Sequence, residues 1–171
     1  HIGMDFNVGN MSAVIGVMRQ GNPMALDELT GVRDTPAMID TIKSRYKGHA
    51  INIYPDASGG SRKSINASLS DIVLLRNAGF TVLAHASNPP VKDRVLALSQ
   101  MIHNQGKRRL LVNPDRCPSL TEALEQQAYD KNGEPDKANG LDHLNDALGY
   151  FIFYKYGISR GPVRFAQIMG A

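Results

Sequence analysis

"HIGMDFNVGNMSAVIGVMRQGNPMALDEL", residues 1–29, decides the fold. Ile2, Met4 and Phe6 alternate with Gly3, Asp5 and Asn7, the two-residue period of a strand with one apolar side, so Asp5 points away from the apolar set. Gly9-Asn10 supplies a turn into a second strand, "SAVIGVMRQ", and Gly21-Asn22-Pro23 a turn into a third, "MALDEL". Three strands joined by such short turns form an antiparallel meander.

Downstream, strands alternate with helices. "TPAMIDTIKSRYKG" offers Thr35 as a helix N-cap, Pro36 in the first turn, Ile39 and Ile42 inside and a stop at Gly48. "AINIY" is a short strand that ends at Pro55-Asp56, placing Asp56 at a strand terminus, where ligands collect in α/β sheets. "SLSDIVLLRNAG" is a helix, "FTVLAH" a strand, and "PVKDRVLALSQMIHNQG" a helix with Val91, Val95, Leu98 and Ile102 on one side. After the strand "RRLLVN" comes the helix "SLTEALEQQAY", with Ser119 or Thr121 near its cap; "DKNGEPDKANG" is a loop or short hairpin before the final helix. The order β-β-β-α-β-α-β-α-β-α-α implies one α/β domain: a mixed sheet of an antiparallel meander followed by parallel strands, flanked by helices.

Composition narrows the class. A chain of 171 residues with one cysteine, Cys117, has no internal disulfide and no Cys/His zinc pattern, and Cys117 has no visible activating group. No apolar run reaches the length of a membrane span, and no charged-then-apolar leader precedes the first strand, so a cytoplasmic protein is expected. Because strand-like sequence begins directly at His1, the chain reads as a domain cut from a longer polypeptide. A net charge of +3 permits a polyanionic partner. Basic residues cluster at Arg62-Lys63, at Lys107-Arg108-Arg109 and at Arg160 and Arg164, each either a phosphate contact or a solvated edge.

The chemistry concentrates in carboxylates. In "DHLNDALGYFIFYKYG", residues 142–157, Asp142 and Asp146 share a helix face while Leu141, Leu144, Leu148, Phe151 and Ile152 form the apolar side. Asp142 also suits helix capping, a role less open to Asp146 deeper in the helix. The first strand and the strand after the first crossover are usually neighbours, which brings Asp5 and Asp56 together. Clustered carboxylates repel at neutral pH and attract divalent cations; hard oxygen ligands without a His/Cys set favour Mg2+ or Mn2+. Two such ions about 3.5–4 Å apart activate water and stabilise the leaving oxygen of a phosphodiester.

The succession "GMDFNVGNMSAVIGV", "IYPDASGGSRKS", "AGFTVLAHASNPPVKDRVLALSQMI" and "NGLDHLNDALGYFI" resembles the nuclease domain of the large terminase subunit of tailed bacteriophages over nearly the whole chain, most specifically at "DHLNDALGY". The resemblance implies an RNase H-like fold spanning residues 1–171 and an upstream ATPase domain in the full protein. It also implies a two-metal Mg2+/Mn2+ endonuclease that cuts concatemeric double-stranded viral DNA at initiation and termination of packaging, with little sequence preference. Asp5, Asp56 and Asp146 would be catalytic metal ligands, with Asp142 a fourth catalytic and metal-binding carboxylate; Arg62, Lys63, Lys107 and Arg108 would be available to DNA phosphates. The portal protein and the small terminase subunit are the implied partners, in the host cytoplasm.

Other signals are weaker. "SGGSRKS" at 58–64 lacks the spacing of a Walker A loop. His143 either tunes a metal or water or is packed or solvated at a helix start, the plainer reading; His85 is equally two-sided. Tyr150, Phe151, Phe153, Tyr154 and Tyr156 read as packing residues rather than a base-stacking platform. A haloacid-dehalogenase-like phosphatase is a second enzyme reading, but position 7 is Asn where that chemistry needs a carboxylate, and a hairpin follows the first strand instead of a helix. A DNA- or portal-docking module with a vestigial acidic pocket is the non-enzymatic alternative.

Overall fold

The computed structural model describes residues 1–7, 9–60, 70–137 and 139–157. β1 (Ile2–Asp5), β2 (Met11–Arg19) and β3 (Asn22–Val32) form the expected meander. The chain continues through α1 (Thr35–Arg45), β4 (Asn52–Pro55), a short 3-10 turn (Ala57–Gly60), α2 (Asp71–Asn77), β5 (Thr81–Val82), α3 (Val91–Ile102), β6 (Leu111–Val112), α4 (Pro118–Gln126) and α5 (Asp142–Tyr156). The strands make one six-stranded sheet in the order β5-β4-β1-β2-β3-β6. β4 pairs parallel with β1 and β5, and β6 parallel with β3, so β2 alone runs against the others.

Both faces of the sheet are covered. Ile2, Met4, Phe6, Ala13, Ile15 and Ile53 pack with Met38 and Ile42 of α1 and Ile72 and Leu75 of α2. Val14, Ala25 and Tyr54 pack on the opposite side with α3, α4 and the apolar residues Leu144, Ala147, Leu148, Phe151 and Ile152 of α5. The alternation in β1 therefore separates two buried layers rather than a core and a solvent face. Gly3 makes this possible: a Cβ there would lie 1.9 Å from the Ala147 carbonyl oxygen, so α5 rests directly on the β1 backbone.

Three local expectations are corrected. The cap of α1 is Asp34, whose carboxylate accepts from the Ala37 amide at 2.8 Å, while the buried Thr35 hydroxyl donates to Asp71 at 2.6 Å. α4 has no side-chain cap of its own. Glu28 of β3 accepts from the amides of Ser119 (2.9 Å) and Leu120 (2.8 Å), a tertiary carboxylate doing the work of a local one, and Thr121 donates back to the Cys117 carbonyl. In α3 the buried residues are Arg94, Ala97, Leu98 and Met101, whereas Ile102 is exposed. That helix is rotated from the purely apolar stripe because Arg94 is held by α5. Of the two readings of the stretch after α4, a loop or a short hairpin, residues 129–136 form a hairpin-like turn, with Tyr129 bridged to Pro135 and the Asp136 amide donating to the Ala128 carbonyl.

Candidate functional site

Parallel pairing of β1 and β4 sends both strands toward the same edge of the sheet, and their C-terminal ends deliver Asp5 and Asp56 there. The Asp56 amide continues the pairing by donating to the Met4 carbonyl at 2.9 Å. α5, seated on Gly3, carries Asp146 over the same edge. Asp5 is 9% exposed and Asp56 8%.

Burial is the main reason the Asp5 carboxyl is pushed up to about 6. The negative charge of Asp146 adds to it, His143 opposes it, and Asp56 raises it further. The sequence-predicted trio Asp5, Asp56 and Asp146 thus lies within one electrostatic neighbourhood. Asp142 stands apart: it is buried in the first turn of α5 and faces Lys137, with 3.6 Å between Oδ2 and Nζ.

Each carboxylate has its own support. Asp56 accepts from the Ser58 amide and hydroxyl, both at 2.7 Å, and from the Asn88 amide group at 2.5 Å; Asn88 in turn accepts from the Ala57 amide at 2.8 Å. His143 Nδ1 lies 3.1 Å from Asp5 Oδ2, and its Nε2 lies 3.0 Å from Asn7 Nδ2. The packed or solvated histidine expected at this helix start is therefore a hydrogen-bonded neighbour of Asp5. Asp146 Oδ1 accepts from Arg94 Nη2 at 2.6 Å.

Asn7, Asn88 and Arg94 were not legible as site residues. Arg94 alone leaves a sequence signal, a cation in phase with Ala97, Leu98 and Met101 on the buried side of α3.

The predicted cations are distributed differently. Arg62, Lys63, Arg160 and Arg164 lie outside the described residues. Lys107 and Arg108 are exposed in the turn between α3 and β6, at the far end of the sheet from the aspartates. The register shows this: Ser12 of β2 is opposite Asp5, and β2 runs on to Arg19, about 23 Å further at ~3.3 Å per residue, before the turn at Gly21. Arg109 is anchored at that turn, donating to Asn22 at 3.2 Å and to the Gly21 carbonyl at 3.4 Å.

The remaining candidates are packing residues. Cys117 is fully buried, and burial together with Glu28 and Asp27 pushes its thiol up to about 11. His85 packs against Phe153 and Tyr154, and burial lowers its pKa. Tyr54 packs on Phe151, and the Tyr156 hydroxyl donates to the Gly21 carbonyl at 2.7 Å.

The donor set of Asp5, Asp56 and Asp146 is all carboxylate oxygen, the chemistry of a hard divalent cation, and their mutual repulsion is the field such a cation would relieve. Among the described residues no three His, Cys, Asp or Glu side chains already converge as a metal cage. Their oxygens are instead engaged by Arg94, Asn88, Ser58 and His143.

A family model described as the terminase RNaseH-like domain matches residues 2–155. The chain belongs to this family. Solved structures of similar fold are large terminase nuclease domains. That of P22 matches with a TM-score of 0.65 at 14% identity, over 91% of this chain and 81% of that one. The g2p nuclease domain of bacteriophage SPP1, solved with bound Mn, matches with a TM-score of 0.61 at 18% identity, over 89% and 83%. The nuclease of thermophilic phage G20c, solved with bound magnesium, matches with a TM-score of 0.55 at 11% identity, over 90% and 78%. At these identities the likeness establishes the fold: the mixed sheet expected from the element order, in the RNase H-like form that the family resemblance implied. No curated protein matches the chain. Among the described residues, no helix of this terminase domain is long and apolar enough to cross a membrane.

Proposed function

We propose that this terminase RNaseH-like domain is a divalent-metal-dependent endonuclease that cuts double-stranded DNA during viral genome packaging. The observation that carries the reading is that β1, β4 and α5 bring carboxylates to one end of the sheet, near enough that Asp146 and Asp56 help push the Asp5 carboxyl up to about 6.

In this reading Asp5, Asp56 and Asp146 hold Mg2+ or Mn2+, in the two-ion arrangement implied by the resemblance. When bound, the metal would supply a nucleophilic water at neutral pH and charge neutralisation of the phosphodiester. The chain's own groups prepare that site. Asn88 and Ser58 fix the Asp56 carboxylate, His143 and Asn7 form a hydrogen-bonded chain to Asp5, and Arg94 holds Asp146. Asp142, paired with Lys137, supports the start of α5 rather than serving as a primary ligand.

The 61–69 segment follows Asp56 and the 3-10 turn, which makes Arg62 and Lys63 the phosphate contacts nearest the site in sequence. Lys107 and Arg108, at the other end of the sheet, would reach only duplex extending well beyond the scissile bond. Cutting at initiation and termination, an upstream ATPase domain, and docking to a portal and small subunit in the host cytoplasm follow from the family resemblance. The phosphatase reading loses ground because β1 leads into the antiparallel β2 and Asn7 is engaged with His143.

The test is incubation with supercoiled plasmid in EDTA, Mg2+ or Mn2+, beside the Asp5→Asn and Asp146→Asn variants. Metal-dependent nicking lost in both variants is expected. DNA binding without cutting under any condition would favour a docking module, and hydrolysis of small phosphate esters alone would favour the phosphatase.

A further inference from the structure

Arg94 sits where α3 would ordinarily present an aliphatic residue. It is 4% exposed, between buried Ala97, Leu98 and Met101 and the flank of α5. A guanidinium is costly to bury unless its charge and donors are met. One turn of α5 meets them. Asp146 Oδ1 accepts from Nη2 at 2.6 Å, and the Tyr150 ring lies under the guanidinium with its centroid 4.5 Å from Cζ. Gly149 leaves room for the stem: a Cβ there would fall 2.8 Å from Arg94 Cγ and 3.0 Å from Cδ. Asp146, Gly149 and Tyr150 are spaced i, i+3, i+4, so they form a single seat on one helix face.

The seat bears directly on the carboxylate set. The Asp146 carboxylate and that of Asp5 repel one another. A buried cation behind Asp146 holds it in place, and Arg does so as a permanently charged planar group in a way Lys does not reproduce. We propose that Arg94 is a positioning residue for the metal centre: seated on Gly149 and Tyr150, it binds Asp146 Oδ1 and fixes that carboxylate in the orientation that receives the divalent ion. This inference rests on the reading of Asp5, Asp56 and Asp146 as the metal-binding set.

The experiment is calorimetric titration of the 171-residue chain with Mn2+, for wild type, Arg94→Met, Arg94→Lys, Gly149→Ala and the Arg94→Met/Gly149→Ala double variant. Circular-dichroism melts in EDTA report folding, and plasmid cleavage is followed across Mn2+ concentrations. Arg94→Met is expected to weaken Mn2+ binding about tenfold or more, within the range typical of groups that orient metal ligands. Arg94→Lys should recover part of this. Gly149→Ala keeps every charge but displaces the Arg94 stem, so it should weaken binding in the same direction by less. The double variant should be no weaker than Arg94→Met, because both changes act through one contact. Cleavage by Arg94→Met should approach the wild-type rate at saturating Mn2+.

A folded Arg94→Met protein that binds Mn2+ as tightly as wild type, or more tightly, overturns the proposal. If Arg94→Met does not fold, Gly149→Ala decides, and wild-type affinity there overturns it. Wild-type protein that neither binds Mn2+ nor cuts DNA overturns the underlying metal-site reading, and this inference with it, a result distinct from a variant series that leaves a working wild-type site unchanged.

Discussion

Two aspartates are buried in adjoining parts of the same sheet and behave in opposite ways. Asp5, at the end of β1, is 9% exposed, and Asp27, within β3, is 7% exposed. Around Asp27, burial works to raise the pKa but is outweighed by donors: the Tyr46 hydroxyl at 2.6 Å, Arg116 Nη2 at 2.8 Å and the Glu28 amide at 3.1 Å, so the carboxyl sits below its ordinary value. Around Asp5, burial is reinforced by Asp146 and Asp56, and His143 offsets only part of it, so the carboxyl is pushed up to about 6. Similar exposure to solvent therefore says nothing about role. Around Asp27 the donors make a structural tie, whereas the nearness of Asp146 and Asp56 to Asp5 is what supports the proposal that it binds a cation.

The largest effect that separates the two is on cutting. Asp5→Asn and Asp146→Asn should reduce plasmid nicking by more than the ~10–100-fold typical of residues that only orient metal ligands. Asp27→Asn should leave the rate per folded molecule within about twofold. A cleavage defect in Asp27→Asn as deep as that in Asp5→Asn would collapse the distinction.

On stability the order reverses. Asp27→Asn weakens a buried network and should lower unfolding free energy by about 1–3 kcal/mol, read by urea denaturation. Asp5→Asn, measured in EDTA, should be neutral or stabilising above pH 6, since it removes a repelled charge.

Gly3→Ala tests the step that gives Asp5 its company. The added Cβ would meet the Ala147 carbonyl, so α5 must lift. A loss of about 1–3 kcal/mol together with weaker Mn2+ binding is expected. Full stability with intact metal affinity would mean that close seating of α5 is not what assembles the site.

The pH dependence sharpens the contrast further. For Asp5 the folded pKa lies above the unfolded carboxylate value of roughly 4, so the folded state holds the extra proton between about pH 4 and 6. Its contribution to stability is present below that window and is lost as pH rises through it. For Asp27 the folded pKa is depressed, so its contribution is present above the ordinary carboxylate range and is lost as pH falls through the folded value. Metal-free unfolding curves across pH 3–7 should therefore lose their falling limb in Asp5→Asn and their rising limb in Asp27→Asn. The smallest expected effect is that of Tyr46→Phe, which removes one donor to Asp27 and should cost about 1 kcal/mol without altering cleavage.

Much of this was open to reading from the chain. Alternation in Ile2, Met4 and Phe6, turns at Gly9 and Gly21, and helical periods downstream gave the element order, because strand and helix periods are properties of neighbouring residues. Asp5, Asp56 and Asp146 could be singled out because carboxylates at strand ends and on one helix face need an explanation. Their supports could not. Asn88, Arg94 and Glu28 act on residues far away in sequence, and nothing local marks the partner each will meet.

By itself, then, the sequence determined the meander, the alternating strands and helices, and which residue types were present to bind a cation. The tertiary structure alone decided that Asp5 would face carboxylates while Asp27 faced donors, that Arg94 would stand behind Asp146, and that Lys107 and Arg108 would lie at the opposite end of the sheet. The reason is physical. Periodicity is written in consecutive side chains, whereas the surroundings of a carboxylate depend on parallel pairing of β1 with β4, on strand register, and on how closely α5 can settle where Gly3 has no side chain.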